Sequence, residues 1–257
     1  MAPSGSPRLS QSRHTTDGLL VERLPIGNAT ESGDTFVMVV FSSAAGQTFR
    51  FPEGGASPWR SIGVEAPSRT AHFIAAGGAA SSRSAQWIAQ LRLIEPCELE
   101  IVYGRNAGTM VRESVFVDPT ATDGQHRLKL PDGSVVERLP IGIAAGDCWL
   151  RFVRTRIPDG EVQRYDAYEE ALDAALEAGD DQPDDPWPEP VERFLQLRSG
   201  GRTLPSGGRG YTEGGREQRF EVAVRADELA SDLEISYLFD GGVVVATERI
   251  EVSATGR

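Results

Sequence analysis

Three histidines, two cysteines and a cluster of aspartates are the residues with which this chain could do chemistry. His14, His72 and His126 could each serve a Ser-His-Asp or Cys-His site, because such partners converge in space and not in sequence. No Gly-x-Ser-x-Gly elbow accompanies them. His14 lies in the N-terminal segment, His72 in the apolar run His-Phe-Ile, and His126 after a turn. Cys97 and Cys148 have neither a disulfide-framework pattern nor metal-ligand spacing, so they read as small buried side chains in a reducing compartment. Asp180, Asp181, Asp184 and Asp185 could offer oxygens to a hard cation. They lack the EF-hand spacing and its glycine, and interleaved prolines oppose convergence, so a solvated connector is expected and no metal. The runs Gly77-Gly78 and Gly207-Gly208-Arg209-Gly210 lack the Walker lysine and follow no strand into a helix, which argues against a phosphate cradle. Lys129 is the only lysine, leaving little scope for Schiff-base chemistry. No catalytic residue and no cofactor is assigned.

The sharpest motif is one that occurs twice. Val-Glu-Arg-Leu-Pro-Ile-Gly spans residues 21–27 and again 136–142, an offset of 115. Each copy reads as a strand that stops where proline fixes φ and glycine permits a turn. Adjacent strand residues point to opposite faces, so glutamate and arginine separate. The leading reading is a strand-turn element that persists for folding reasons. The functional reading makes Glu22, Arg23, Glu137 and Arg138 the candidate binding residues, as equivalent contacts on two like modules.

Later segments align in the same order. Gly33-Asp34 falls on Gly146-Asp147, Pro67 and Gly77-Gly78 on Pro190 and Gly200-Gly201, Gln86-Trp87-Ile88 on Gln218-Arg219-Phe220, and Leu99–Tyr103 on Leu233–Tyr237. The chain thus reads as an internal duplication. It comprises a flexible arm over 1–16, a first β-module over 17–118, a linker over 119–131, and a second module over 132–253. The second copy is longer through an acidic insertion near 166–189 and the Gly-rich stretch at 203–210.

Positioning falls to strands. Short runs rich in β-branched and aromatic residues, such as Phe36–Phe41, Trp149–Ile157 and Leu233–Phe239, alternate with Asp-Gly turns. About six strands per copy at this spacing predict an all-β protein, with two tandem β-sandwich-like modules and one helix in the second half. The helix is expected to begin at a capping box over Asp166–Glu169, to carry Tyr168, Leu172, Ala175 and Leu176 on one stripe, and to end at Gly179. Residues 75–85, rich in Gly, Ala and Ser, read as a loop.

Charge narrows the partners. The net charge is −12, yet residues 1–130 hold 12 acids and 12 Lys/Arg, while 158–192 hold 13 acids against Arg164 alone. No basic stripe exists, which argues against nucleic acid. No apolar run reaches the length of a membrane-spanning helix, and the first residues lack an apolar signal core. A cytoplasmic, non-enzymatic scaffold is the expectation, with a protein partner or self-assembly and no membrane. A subunit of a phage-like or tail-type assembly would fit that class. A carbohydrate- or peptide-binding sandwich using Trp59, Trp87, Trp149 or Trp187 is the alternative, and a hydrolase with a dispersed site the third reading.

Overall fold

The computed structural model describes residues 8–9, 11–14, 20–42, 62–65, 71–80, 84–103, 111–178, 195–204, 208–213, 217–229, 232–239 and 242–251. In the first half the strands are β1 (Arg8–Leu9), β2 (Gln11–His14), β3 (Leu20–Arg23), β4 (Gly27–Ala29), β5 (Asp34–Ser42), β6 (Ile62–Glu65), β7 (Ala71–Ala80), β8 (Ser84–Leu93), β9 (Cys97–Tyr103) and β10 (Val111–Val117). The second half continues with β11 (His126–Lys129), β12 (Val135–Arg138), β13 (Gly142–Ala144) and β14 (Asp147–Thr155). Helix α1 (Asp159–Ala178) follows, then β15 (Leu195–Ser199), β16 (Arg202–Thr203), β17 (Gly208–Glu213), β18 (Glu217–Arg225), β19 (Asp232–Phe239) and β20 (Val243–Glu251). The protein is mainly β, with antiparallel sheets, as the alternation of strands and turns predicts.

Two compact units partition these elements. The N-terminal unit contains Pro7–Gly124 together with Leu139–Cys148, and the C-terminal unit contains Gln125–Arg138 and Trp149–Arg257. The chain changes unit inside the second copy of the motif, between Arg138 and Leu139, and returns after Cys148.

In the N-terminal unit, one sheet runs β2-β3-β5-β8-β7 with β4 on the first part of β5, and a second runs β10-β9-β6. Alternation along the strands turns Val37, Val39 and Phe41 of β5, and Trp87, Ala89 and Leu91 of β8, toward Leu99 and Ile101 of the second sheet. These side chains form one core, which makes this unit a two-sheet sandwich. The other face of β5, Phe36, Met38 and Val40, is equally buried. The strands of the C-terminal unit form a larger sheet that runs β11-β12-β14-β18-β17, in which β13 also pairs with β14 and β1 with β13, and a smaller one that runs β16-β15-β19-β20. The two units thus use one strand order for their larger sheets: β2, β3, β5, β8 and β7 occupy the places of β11, β12, β14, β18 and β17.

Strand registers revise several expectations. Residues 11–14, placed in a flexible arm, form β2 and pair with β3, and Arg8–Leu9 pairs in parallel with β13. Lys129 and its neighbours, placed in a linker, form edge strand β11. In both cases polar side chains hide a strand whose partner's ladder supplies the order. Residues 75–80, read as loop, belong to β7, because β8 offers a continuous ladder to small residues of low intrinsic preference. Ile62 lies opposite Tyr103 and Leu195 opposite Tyr237. Equating Pro67 with Pro190 is therefore wrong, since one follows its strand and the other precedes it. The counterpart of Gly77-Gly78 is likewise β17 and not the Gly200-Gly201 turn between β15 and β16.

Helix α1 begins at Asp159, seven residues before the expected capping box. The amides of Glu161 and Val162 donate to the Pro158 carbonyl, and Asp159 and Glu161 sit in the first turn, where the helix dipole favours acids. Gly179, Trp59, Trp187 and the aspartates from 180 to 185 lie outside the described residues. The side chains of Tyr168, Leu172 and Leu176 do too.

Candidate functional site

The motif arginines are the natural starting point. On β3, Val21 and Arg23 face the core, and Glu22 faces the other way. The Arg23 guanidinium donates from Nε and Nη2 to Glu113 Oε1 of β10 at 3.0 and 2.8 Å, and from Nη1 to the Leu24 carbonyl. Arg138 repeats this from β12, donating from Nε and Nη2 to Glu248 Oε2 and Oε1 of β20 at 2.9 and 2.5 Å. Each pair ties the larger sheet of its unit to the last strand of the smaller one. Both pairs are buried.

The C-terminal clamp has further members. The Tyr237 hydroxyl donates to Glu248 Oε2 at 3.1 Å, and the ring meets Phe152 edge-on and stacks on His126 at 5.6 Å. Burial pushes Tyr237 well above its ordinary range, and the Glu248 charge adds to that. For Glu248 burial pulls upward, but the hydrogen bonds and charge of Arg138 outweigh it and leave the carboxyl below its usual range. The group is a charge-matched plug between the two sheets.

The second half of the motif does something different. Gly27 and Gly142 leave no room for a side chain. A Cβ on Gly27 would lie 2.8 Å from Leu139 Cβ and 3.0 Å from Pro140 Cδ, and one on Gly142 would lie 2.6 Å from Leu24 Cδ2 and 2.8 Å from Pro25 Cδ. The two Leu-Pro-Ile-Gly segments therefore press on each other reciprocally, all within the N-terminal unit. Glu22 Oε2 accepts the Ala145 amide at 2.6 Å on the same side. The stretches that precede each copy cross over as well. Arg8 and Leu9 pair with Gly142 and Ile143, whereas Asn28 Nδ2 donates to the carbonyls of Asp118 and Ala121 at 2.9 Å.

A third cluster is peculiar to the C-terminal unit. Arg154, buried on β14, donates to Glu161 Oε1 and Oε2 of α1, to Asp132 Oδ2, to Ser134 Oγ and to Gln218 Oε1, all between 2.7 and 3.1 Å. It fastens the first turn of the helix to a sheet and a turn. Burial raises Asp132, but hydrogen bonds from Ser134 and the charge of Arg154 leave it lowered overall. Also on β14, burial draws Arg151 down to about 10 against the pull of Glu221, so it stays a cation at neutral pH.

Of the residues singled out from sequence, Glu22, Arg23 and Arg138 thus have internal partners, and Glu137 is buried. Arg23 and Arg138 look into their cores. Their carboxylate partners, Glu113 and Glu248, were missed, although each is an isolated acid at a core-facing step of an alternating strand. His14 and His72 are exposed on β2 and β7, and His126 stacks in the clamp, so the histidines share no site. Cys97 and Cys148 are free and buried. Trp87 and Trp149 are buried too. Among the described residues no group of three or more His, Cys, Asp or Glu gathers to hold a metal. No helix there is long and apolar enough to cross a membrane.

No protein-family model matches the chain, and no curated protein shows significant similarity to it.

Proposed function

We propose that this chain is a non-enzymatic structural scaffold, built from two like β-sandwich modules of common origin and incorporated into a larger cytoplasmic assembly by protein contacts. The observation that supports it best is the use of the repeated motif. Both arginines serve as inter-sheet clamps, and both glycines serve the reciprocal contact, so its polar groups work inward on architecture. The shared strand order of the two larger sheets favours a duplication. Two like modules in one chain offer a partner two like surfaces, which multiplies weak contacts through effective concentration.

The test is native mass spectrometry with light scattering on the purified chain and on its source lysate. The scaffold reading expects a discrete oligomer or a stoichiometric complex of defined mass. A strict monomer in both samples, whose melting temperature climbs with a sugar or peptide, would replace it with the ligand-binding reading.

A further inference from the structure

We infer that the two Leu-Pro-Ile-Gly segments form a reciprocal lock that makes the two halves of the chain unfold as one. This goes beyond the scaffold reading and does not depend on it.

The sequence between β12 and β14 belongs to the C-terminal half, yet its residues Leu139–Cys148 are part of the N-terminal unit. Four kinds of contact hold it there: Leu139 and Pro140 against Gly27, Leu24 and Pro25 against Gly142, the Ala145 amide on Glu22, and the parallel pairing of Arg8 and Leu9 with Gly142 and Ile143. β12 and β14 are neighbours in the C-terminal unit, with Val135 opposite Thr155 and Arg138 opposite Phe152. The connection between them is the borrowed segment. If the N-terminal unit opens, that connection loses its packing on Leu24, Pro25 and Gly27 and keeps only the pairing of β13 with β14, so the cost of ordering it falls on the sheet that holds β12 and β14. If the C-terminal unit opens, Leu139 and Pro140 lose the strands that hold their ends, and Gly27 loses the surface it was shaped to meet. Each unit therefore contributes to the stability of the other through a covalent segment and not through a linker. Glycine at 27 and 142 is what permits the approach, because contacts under 3.0 Å leave no space for even a methyl group.

The experiment is hydrogen exchange by mass spectrometry on the full chain across a urea series. Peptides covering β5 and β8 report one unit, and peptides covering β18 and β19 the other. The wild type is expected to show one common opening midpoint for both sets. Gly27→Val should split them, with midpoints at least about 0.5 M urea apart, a resolvable gap given slopes of about 1–3 kcal/mol per M. Gly160→Ala, whose Cβ meets nothing within 4 Å, should leave the sets coincident. Two separate midpoints in the wild type would overturn the inference, as would coincident midpoints in Gly27→Val. Should Gly27→Val not fold, Glu22→Ala serves instead. It removes the acceptor for the Ala145 amide, and a lower midpoint with the sets still together would equally sink the lock.

Discussion

Strands β5 and β14 hold the same place in their sheets, have nine residues each and are buried from end to end. Aligned from Asp34 and Asp147, they keep their character at most steps: Phe36 faces Trp149 in the comparison, Val37 faces Leu150, and Val40 faces Val153. They part at two steps, where Met38 and Phe41 in the first strand give way to Arg151 and Arg154 in the second. Phe41 fills the apolar core of its sandwich. Arg154 instead gathers Asp132, Glu161 and Gln218. The difference follows from what each sheet must carry. α1 leaves directly after β14, and a polar helix start can be anchored to a buried surface only through a charge that satisfies its acids. The same strand position can thus be a core plug or a helix anchor, depending on what the chain inserts beside it.

The clamps shared by both units should give the largest effects. Arg138→Met strands Glu248 in the core and is expected to cost about 3–5 kcal/mol in urea unfolding. Arg23→Met should fall at the lower end of that range, because Arg23 retains slight solvent access where Arg138 has none. Pairing Arg138→Met with Glu248→Leu should recover most of the loss. Failure of the double variant to recover would mean that the clamp does more than match charge.

Arg154→Met addresses the step at which the strands differ. It should cost about 2–3 kcal/mol by leaving buried acceptors unmet, and it should lower the helical signal in circular dichroism. Phe41→Met, at the matching step, should leave that signal unchanged. An unchanged helix in Arg154→Met would show that α1 holds by other contacts.

Acid should act chiefly on the C-terminal unit. Glu248 and Asp132 have folded pKa values below their unfolded ones, so the stability they contribute is present above the unfolded range near 4 and is lost as pH falls through the folded values. Tyr237 behaves oppositely. Its folded pKa is raised, so its contribution is complete below about 10 and is lost as pH rises beyond that. Melting curves from pH 3 to 11 should therefore fall at both ends, and Tyr237→Phe should flatten only the alkaline side.

The smallest effect concerns the turns between β4 and β5 and between β13 and β14. The first has four residues, Thr30–Gly33, and the second only Ala145-Gly146, which accounts for the change of offset between the copies from 115 to 113. The shorter turn forces Ala145 to a φ of 54°, a left-handed conformation that costs a residue with a side chain about 1–2 kcal/mol. Ala145→Gly should raise stability by up to about 1 kcal/mol, and a drop would show that its methyl packs usefully.

Much of the fold was legible. β5, β9, β10, β14, β19 and β20 follow from alternation and Asp-Gly turns, because each buries one or both faces and must look apolar there. β2, β7 and β11 were not, since short polar or small-residue edge strands take their order from a neighbour. The start of α1 was obscured because Asp159-Gly160 also suits a turn, and only the Arg154 anchor resolves which it becomes. The candidate site was half legible. The repeat marked Arg23 and Arg138, but nothing local says that a strand arginine points inward until its glutamate appears 90 or 110 residues away.

The residues alone determined that strands and turns alternate, that one seven-residue motif recurs, and that acids crowd the stretch 158–192, because these depend on local pattern and composition. Only the tertiary structure decided that Val-Glu-Arg would brace its own sandwich while Leu-Pro-Ile-Gly of the second copy would join the other unit. Burial is settled by which surfaces meet, and contacts between residues more than a hundred positions apart leave no trace in local sequence.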